Sequence, residues 1–288
     1  MIRPPGRLWR IDHSGYILND ASIDALQSPF AALVQDAVVA CTQQISDDID
    51  SIYLTGSVAR GMAVPGLSDL NVIVVLHAAR DPDLVMRDWV PAAEETLLAA
   101  HPVVSEVQID LWPYYSVFTD PACFSTPGFI LKTHSICVWG VDLGSQLPDY
   151  KVSPGIANDD LARLEDELAV IHEGLAEPLA EHEVRLWCTH TARTILRAAF
   201  GLVQMQAGVH TRDVDLCCEY AIGGLPEHAD DLQLALRYAD QPVGDVTAVQ
   251  QLVERVEGWL VDRANDWLDQ YNPDRDPDLR VDDVEERE

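Results

Sequence analysis

The chain has 288 residues, with 48 acidic against 19 basic side chains and a formal net charge of −29. Such an acidic surface repels phosphate groups, which excludes nucleic acids and anionic membrane surfaces as expected partners and favours cationic ligands. The length is typical of one large domain or, more often, of two domains with separate cores. The sequence has neither the apolar run of a signal peptide nor a segment that could cross a membrane, so we expect a cytoplasmic protein.

The first half mixes helical and strand periodicities. Apolar spacing predicts helices over residues 23–46 and 81–100, the second started or interrupted at Pro91. Strands are predicted for four short apolar or alternating runs, at 51–57, 71–77, 103–112 and 136–143. These elements predict an α/β domain over residues 1–148.

The second half is almost purely helical in its pattern. Amphipathic periodicity predicts helices at 159–177, 180–206, 213–222, 228–239 and 246–270. We therefore expect a helical domain over residues 149–271. Residues 272–288 contain eight acids and three arginines, which is typical of a disordered acidic tail.

The stretch over residues 53–76, YLTGSVARGMAVPGLSDLNVIVVL, has the most chemical content. A strand ends at Gly56 and Ser57, where a missing Cβ and a hydroxyl suit close approach to a phosphate. Asp69 and Asn71 open the next strand and, being two residues apart, share one face. Oxygen-rich side chains from neighbouring strands form a site for hard divalent cations, above all Mg²⁺.

The alternating strand at 103–112 adds two more acids. Val104, Glu106, Gln108 and Asp110 share one of its faces in this pattern, and the apolar residues occupy the other. This strand can therefore supply a third carboxylate to the same oxygen-rich site.

These motifs carry a family resemblance. GSVARG, SDLN and the distal VQIDL strand resemble the DNA polymerase β-type nucleotidyltransferase superfamily. ICVWGVDLGSQLP and the helical pattern over residues 194–240 are similar to streptomycin/spectinomycin-type aminoglycoside adenylyltransferases. The resemblance covers roughly residues 50–240. It implies an α/β nucleotidyltransferase domain with a mixed sheet, followed by an all-α helical bundle, with the active site in the cleft between them.

The resemblance also implies roles for the turn and for the strand that follows it. Gly56 and Ser57 would hold the terminal phosphates of a nucleoside triphosphate, and Ser68 is placed with these nucleotide-binding residues. Asp69 would ligate Mg²⁺. Asn71 stands where the superfamily has a second aspartate, so one negative charge is missing from the expected two-metal site.

Two acids compete for the role of third carboxylate. Asp110 best matches the position in the superfamily pattern and would complete the metal ligands with Asp69 and Asn71. Glu106 is the alternative, because the adenylyltransferases have a glutamate followed by an alternating strand. One of the two is the candidate base for the acceptor hydroxyl; Glu106 can also be read as a solvated strand residue.

The remaining assignments concern the two substrates. Arg60, Arg237 and Lys132 are candidate partners of the triphosphate, although Arg60 can equally be read as a surface ion pair with an acid. Glu219 and Tyr220 fall nearest to the segment with which the helical domain of the family contacts its acceptor. An acid and an aromatic ring suit a cationic aminoglycoside.

The implied activity is Mg²⁺-dependent transfer of AMP from ATP to a hydroxyl of a small molecule, with an aminoglycoside-like compound as the first candidate. A catalytically impaired homologue that binds a nucleotide or another ligand is the alternative, since Asn71 weakens the expected metal site. An enzyme that modifies a protein or another metabolite is a further alternative.

Overall fold

A computed structural model describes residues 5–77, 88–119, 123–276 and 279. The described chain divides into two compact units. The first unit takes residues 10–119 and 125–150, and the second takes the helical half from residue 151 onward. Two short segments, 5–9 and 123–124, also belong to the second unit.

The first unit is built on a four-stranded sheet. Its strands are β1 (Ile49–Thr55), β2 (Leu70–Leu76), β3 (Val107–Trp112) and β4 (Ile136–Gly140). The spatial order is β3-β2-β1-β4, with β1 antiparallel to both β2 and β4, and β2 parallel to β3. The predicted mixed sheet is confirmed.

Helices cover both faces of this sheet. They are α1 (Ser28–Ile45), α2 (Gly56–Ala59), α3 (Val90–Ala100), α4 (Tyr114–Val117) and α5 (Thr126–His134). Short 3₁₀ helices lie at Ile23–Ala25, Ser46–Asp48 and Leu143–Gln146. On one face the strands pack with Leu33 of α1 and Leu97 of α3, and on the other with Leu131 of α5. Burial on both faces explains the uninterrupted apolar runs of β1 and β2.

Several predicted boundaries differ from the observed ones. The strand predicted from residue 103 begins at Val107, because residues 102–105 form the turn that joins α3 to the sheet, and Val104 is buried instead of facing solvent. The first predicted helix begins at Ser28, where Pro29 occupies its first turn. Of the helix predicted at 81–100, residues 81–87 lie outside the described residues, and α3 begins at Val90.

The second unit is a helical bundle with one large apolar core. Its helices are α6 (Pro154–Ala162), α7 (Leu164–Ala176), α8 (Glu181–Gly201), α9 (Gln204–Ala207), α10 (Val214–Gly224), α11 (Ala229–Asp240) and α12 (Val246–Tyr271). A 3₁₀ turn covers Pro226–His228. Within the described residues, no helix has the length and apolar character needed to span a membrane.

Both ends of the chain contribute to the second unit. The ring of Trp9 is 3% exposed and packs edge-on against His210 at a centroid distance of 5.3 Å. Asn272, 2% exposed, donates to Asn158 Oδ1 at 2.7 Å and receives a bond from the amide of Asp276 at 3.0 Å. The folded unit therefore extends beyond Tyr271, while most of the predicted acidic tail lies outside the described residues.

Candidate functional site

The turn that follows β1 lies directly beside the start of β2. Thr55 pairs with Asn71 in the antiparallel ladder, and Gly56 follows with φ +76°. A Cβ at Gly56 would stand 3.0 Å from Asn71 Nδ2. Glycine is therefore required here both by the left-handed backbone and by the close approach of Asn71.

Ser57 adds an unsatisfied hydroxyl to this turn. It is the second residue of α2, and its backbone carbonyl accepts a bond from Met62 N at 2.9 Å. Its Oγ is buried and has no hydrogen-bond partner among the described residues. Because buried hydroxyls in folded proteins are nearly always paired, this atom is suited to an oxygen of a bound ligand.

Asp69 and Glu106 lie next to each other at the ends of the two parallel strands. Leu70 N donates to Glu106 O at 2.9 Å, and Ser105 N donates to Ser68 O at 2.9 Å, so the β2–β3 ladder continues by one residue beyond the strands. Asp69 is half-buried, Glu106 is exposed, and each directly precedes its strand. The alternation that places Asp69 with Asn71 places Glu106 with Gln108 on the same face.

Asp110 lies farther along β3. It pairs with Ile73, whereas Asn71 pairs with Gln108, so Asp110 is four residues beyond Glu106, or about 13 Å along the strand. Burial raises the pKa of Asp110, and the neighbouring Glu94 carboxylate raises it further, partly opposed by a hydrogen bond from Gln108. Glu94 also accepts a bond from Ile109 N at 2.7 Å. The register therefore associates Glu106, and not Asp110, with Asp69.

The donor set fits a hard cation only partly. Asp69 and Glu106 supply carboxylate oxygens and Asn71 supplies an amide oxygen, which are ligand types that Mg²⁺ accepts. Within the part of the chain that the structure describes, however, no three His, Cys, Asp or Glu side chains form a metal-binding group. Beside the turn and the starts of the two strands, the described residues thus place two carboxylates and one amide, those of Asp69, Glu106 and Asn71.

Two further predicted nucleotide-binding residues serve the loop itself. The Nε of Arg60 donates to Asp20 Oδ2 at 2.7 Å, and both side chains are buried. The alternative prediction, an ion pair between Arg60 and an acid, is therefore confirmed, but the pair is buried and not on the surface. The hydroxyl of Ser68 accepts a bond from Val64 N at 2.9 Å and closes the loop before Asp69. These contacts hold the side chains of Arg60 and Ser68 within the loop and do not direct them toward the turn at Gly56.

The four remaining candidates are dispersed. Lys132 of α5 lies 3.2 Å from Asp149 Oδ1 and 3.3 Å from Leu147 O in the first unit. Arg237 is exposed on α11 of the second unit, and Glu219 is exposed on α10. The ring of Tyr220 packs edge-on against Phe200 at 6.2 Å and belongs to the margin of the helical core.

Sequence reasoning missed a cluster of arginines inside the second unit. Arg212 donates to Asp160 Oδ2 at 3.1 Å, and Arg197 of α8 lies close enough to Arg212 for the two positive charges to repel each other. That charge, together with burial and with Arg193 one turn away, lowers the pKa of Arg197, and the Asp160 carboxylate partly opposes this shift. Arg197 Nε is buried without a hydrogen-bond partner among the described residues. A buried guanidinium N–H without a partner is suited to an anion.

We expect Arg197→Met to stabilise the protein at pH 7 by about 1 to 3 kcal/mol, because a guanidinium that is repelled by Arg212 and has an unpaired Nε is replaced by an apolar side chain. The pKa of Arg197 is lowered from its ordinary value, so the penalty is present in full at pH 7 and diminishes only as the pH rises into the range where the guanidinium loses its proton. Thermal melts of the wild type and the variant at pH 7 measure this difference.

The same melts test the anion. Pyrophosphate should raise the melting temperature of the wild type and have little effect on Arg197→Met. Arg263→Met is the matched control, because Arg263 is an exposed arginine of the same unit, paired with Glu227 at 2.9 Å, and should leave both readouts nearly unchanged. Equal stabilisation of all three proteins by pyrophosphate would show that Arg197 binds no anion.

Comparison with known proteins adds one weak likeness. No protein-family model and no curated protein matches the sequence. Nine chains of solved structures match, among them spectinomycin adenyltransferase AAD(9) from Enterococcus faecialis, crystallised with ATP and spectinomycin. It is 15% identical to this chain with a TM-score of 0.47, and the match covers 78% of this chain and 98% of that chain. Such a likeness does not assign a function, which must come from the residues of this chain.

Proposed function

We propose that this protein transfers a nucleoside monophosphate, AMP from ATP as the first candidate, to a hydroxyl group of a small molecule. The observation that carries the proposal is one juxtaposition. The turn at Gly56 and Ser57, with its unpartnered buried hydroxyl, lies beside Asn71, and the ends of the parallel strands bring Asp69 next to Glu106. A ligand of the size of a phosphate at the turn would therefore have the carboxylates of Asp69 and Glu106 on one side.

Each of these residues has a part in the proposed reaction. The Ser57 hydroxyl donates to a phosphate oxygen of the nucleotide, and the missing Cβ of Gly56 lets the phosphates approach the backbone. Glu106 accepts the proton of the acceptor hydroxyl as its oxygen attacks the α-phosphorus, and pyrophosphate leaves. Positioning supplies most of the effect, because phosphoryl transfer requires little covalent chemistry from the protein.

Asp69, Asn71 and Glu106 are the residues that would hold Mg²⁺ in this proposal. When bound, Mg²⁺ would neutralise charge on the phosphates and on the leaving pyrophosphate. Asp69 would contribute most to holding Mg²⁺, because Asn71 offers only a neutral oxygen and Glu106 must also accept a proton. Dependence on a divalent cation is therefore part of the proposal.

The acceptor is expected to be a small, hydroxylated and cationic compound. A net charge of −29 attracts cations over a wide surface, and an aminoglycoside-like molecule combines positive amines with several hydroxyls. Glu219 and Tyr220 stay as proposed contacts for this acceptor. A thermal-shift panel that pairs ATP and Mg²⁺ with aminoglycosides, and with uncharged sugars as controls, tests this choice.

The substitution Asn71→Asp tests whether the site catalyses nucleotidyl transfer or only binds a nucleotide. We expect it to raise the affinity for Mg²⁺ and to increase pyrophosphate release from ATP at least about tenfold, because it restores the second negative charge beside Asp69. The measurement is pyrophosphate release as a function of Mg²⁺ concentration. Gln44→Glu is the control, since this exposed glutamine of α1 belongs to the same unit and the substitution adds the same negative charge outside the turn and its support.

The contrary outcome separates the two candidate functions. If neither the wild type nor Asn71→Asp releases pyrophosphate from any nucleoside triphosphate, yet both bind ATP, the protein is a nucleotide-binding homologue without transferase activity. If neither protein binds ATP at all, the proposed function fails as a whole.

A further inference from the structure

A buried ion pair lies behind the turn at Gly56. Arg60 Nε donates to Asp20 Oδ2 at 2.7 Å, and the two side chains are only 6% and 11% exposed. Asp20 is 40 residues earlier in the chain than Arg60. Within a unit whose carboxylates are mostly exposed, a pair so fully removed from solvent requires a structural explanation.

Arg60 directly follows the helix that contains the turn. Its amide donates to Gly56 O at 3.2 Å, and Gly61 N donates to Val58 O at 3.2 Å. Holding the Arg60 side chain therefore also holds the last turn of α2, whose first residues are Gly56 and Ser57. Any displacement of Arg60 is transmitted to the unpartnered hydroxyl within one helical turn.

Asp20 belongs to a segment that contacts both sides of the turn. We call residues 19–22 the bridging segment. On one side, Ser22 N donates to Ala59 O at 3.0 Å. On the other side, Asp20 N donates to Thr133 O at 3.3 Å and Asn19 Nδ2 donates to Ser135 O at 2.8 Å.

The start of the turn is fixed to the same support. Thr55 Oγ1 donates to His134 O at 3.2 Å, so the residue before Gly56 is attached to the 133–135 region that also anchors the bridging segment. The end of the turn is equally confined, because Gly61 has φ +66° and a Cβ there would stand 2.9 Å from Ala25. The turn is thus held at both ends by one frame, and the Asp20–Arg60 pair is its charged and buried contact.

We infer that Asp20 is a positioning residue for the nucleotide-binding turn: it acts through Arg60 to fix Gly56 and Ser57 in place for the nucleotide's phosphates. This inference rests on the proposed function. It assigns Arg60 to the support of the turn and not to the triphosphate, since Asp20 already neutralises its charge. Small displacements of a positioning group reduce turnover strongly, which explains why such a rigid support is useful.

The test compares two variants with the wild type. Asp20→Asn removes one charge and leaves Arg60 buried without its counter-charge, whereas the double variant Asp20→Leu/Arg60→Met replaces the pair by apolar side chains of similar size and should keep the fold. In both, hydrogen exchange of the amides at 56–62 should be at least tenfold faster without nucleotide. KM for ATP should rise at least tenfold, with a smaller change in kcat.

Asp36→Asn is the matched control, because it breaks another carboxylate contact of the same unit, Asp36 Oδ2 to His101 Nε2 at 2.7 Å, which is largely exposed. It should alter neither readout. A folded double variant with an unchanged KM would overturn the inference, whatever its melting temperature. If the wild type neither binds nor uses ATP, the proposed function fails separately; unchanged exchange at 56–62 is then the result that overturns the role of Asp20.

Discussion

Asp69→Asn should lower nucleotidyl transfer at least about a hundredfold, because it removes the carboxylate on which the proposed site depends most. The substitution keeps the size of the side chain, so packing beside Glu106 is retained. Pyrophosphate release measured over a series of Mg²⁺ concentrations gives the effect, and the apparent affinity for Mg²⁺ should fall with it. ATP binding in the presence of Mg²⁺ should weaken in parallel.

The control for Asp69→Asn is Asp47→Asn. Asp47 is exposed in the 3₁₀ helix before β1 and belongs to the same unit. This control removes one negative charge without touching the turn, and its activity should stay within twofold of the wild type. Activity of Asp69→Asn equal to that of Asp47→Asn would remove Asp69 from the site.

Glu106→Gln should reduce turnover by about 10² to 10⁴-fold, because the amide cannot accept the proton of the acceptor hydroxyl. Its effect should appear mainly in kcat, and ATP binding should weaken less than in Asp69→Asn, because Asp69 has the larger part in holding Mg²⁺. The pH dependence of kcat should also lose its acidic limb, since that limb reports the ionisation of the base. Single-turnover measurements with ATP and an acceptor separate this step from product release.

Asp110→Asn is the matched variant for Glu106→Gln, on the same strand. It should leave turnover within a few-fold of the wild type and should stabilise the protein near neutral pH. The pKa of Asp110 is raised in the folded state, so folding disfavours its ionised form. The gain in stability from asparagine is therefore present above the ordinary pKa of a carboxyl group and disappears as the pH falls below that value. A large loss of turnover in Asp110→Asn, with a normal Glu106→Gln, would reverse the assignment.

The sequence was sufficient to predict that strands occur around the site, but not their bounds: the predicted first strand, 51–57, included Gly56 and Ser57, which open α2. β1 and β2 are short apolar runs buried on both faces, and the Gly56 turn is marked by its residue types. The sequence could not show whether Glu106 or Asp110 is the third carboxylate, because the two acids are four residues apart and lie on the same face of an extended strand. Only the pairing of β3 with β2, a tertiary property, shows which acid lies beside Asp69.

Two arginines illustrate the same limit. The partner of Arg60 is 40 residues away, and no local pattern connects Asp20 with the turn. Arg197 had a local signal, since Leu196 and Ala198 on either side of it are fully buried in α8 and Arg193 precedes it by one turn. Such spacing is typical of a charged stripe beside a helical core, but the electrostatic environment of Arg197 depends on Arg212 and Asp160, which come from other parts of the chain.

The most direct test of the proposed site is hydrogen exchange of the full chain with and without ATP and Mg²⁺. We predict protection of three segments, 56–62, 68–71 and 105–108, and loss of that protection when EDTA replaces Mg²⁺. Protection confined to other parts of the chain, or no change at these three segments in a protein that binds ATP, would contradict this prediction.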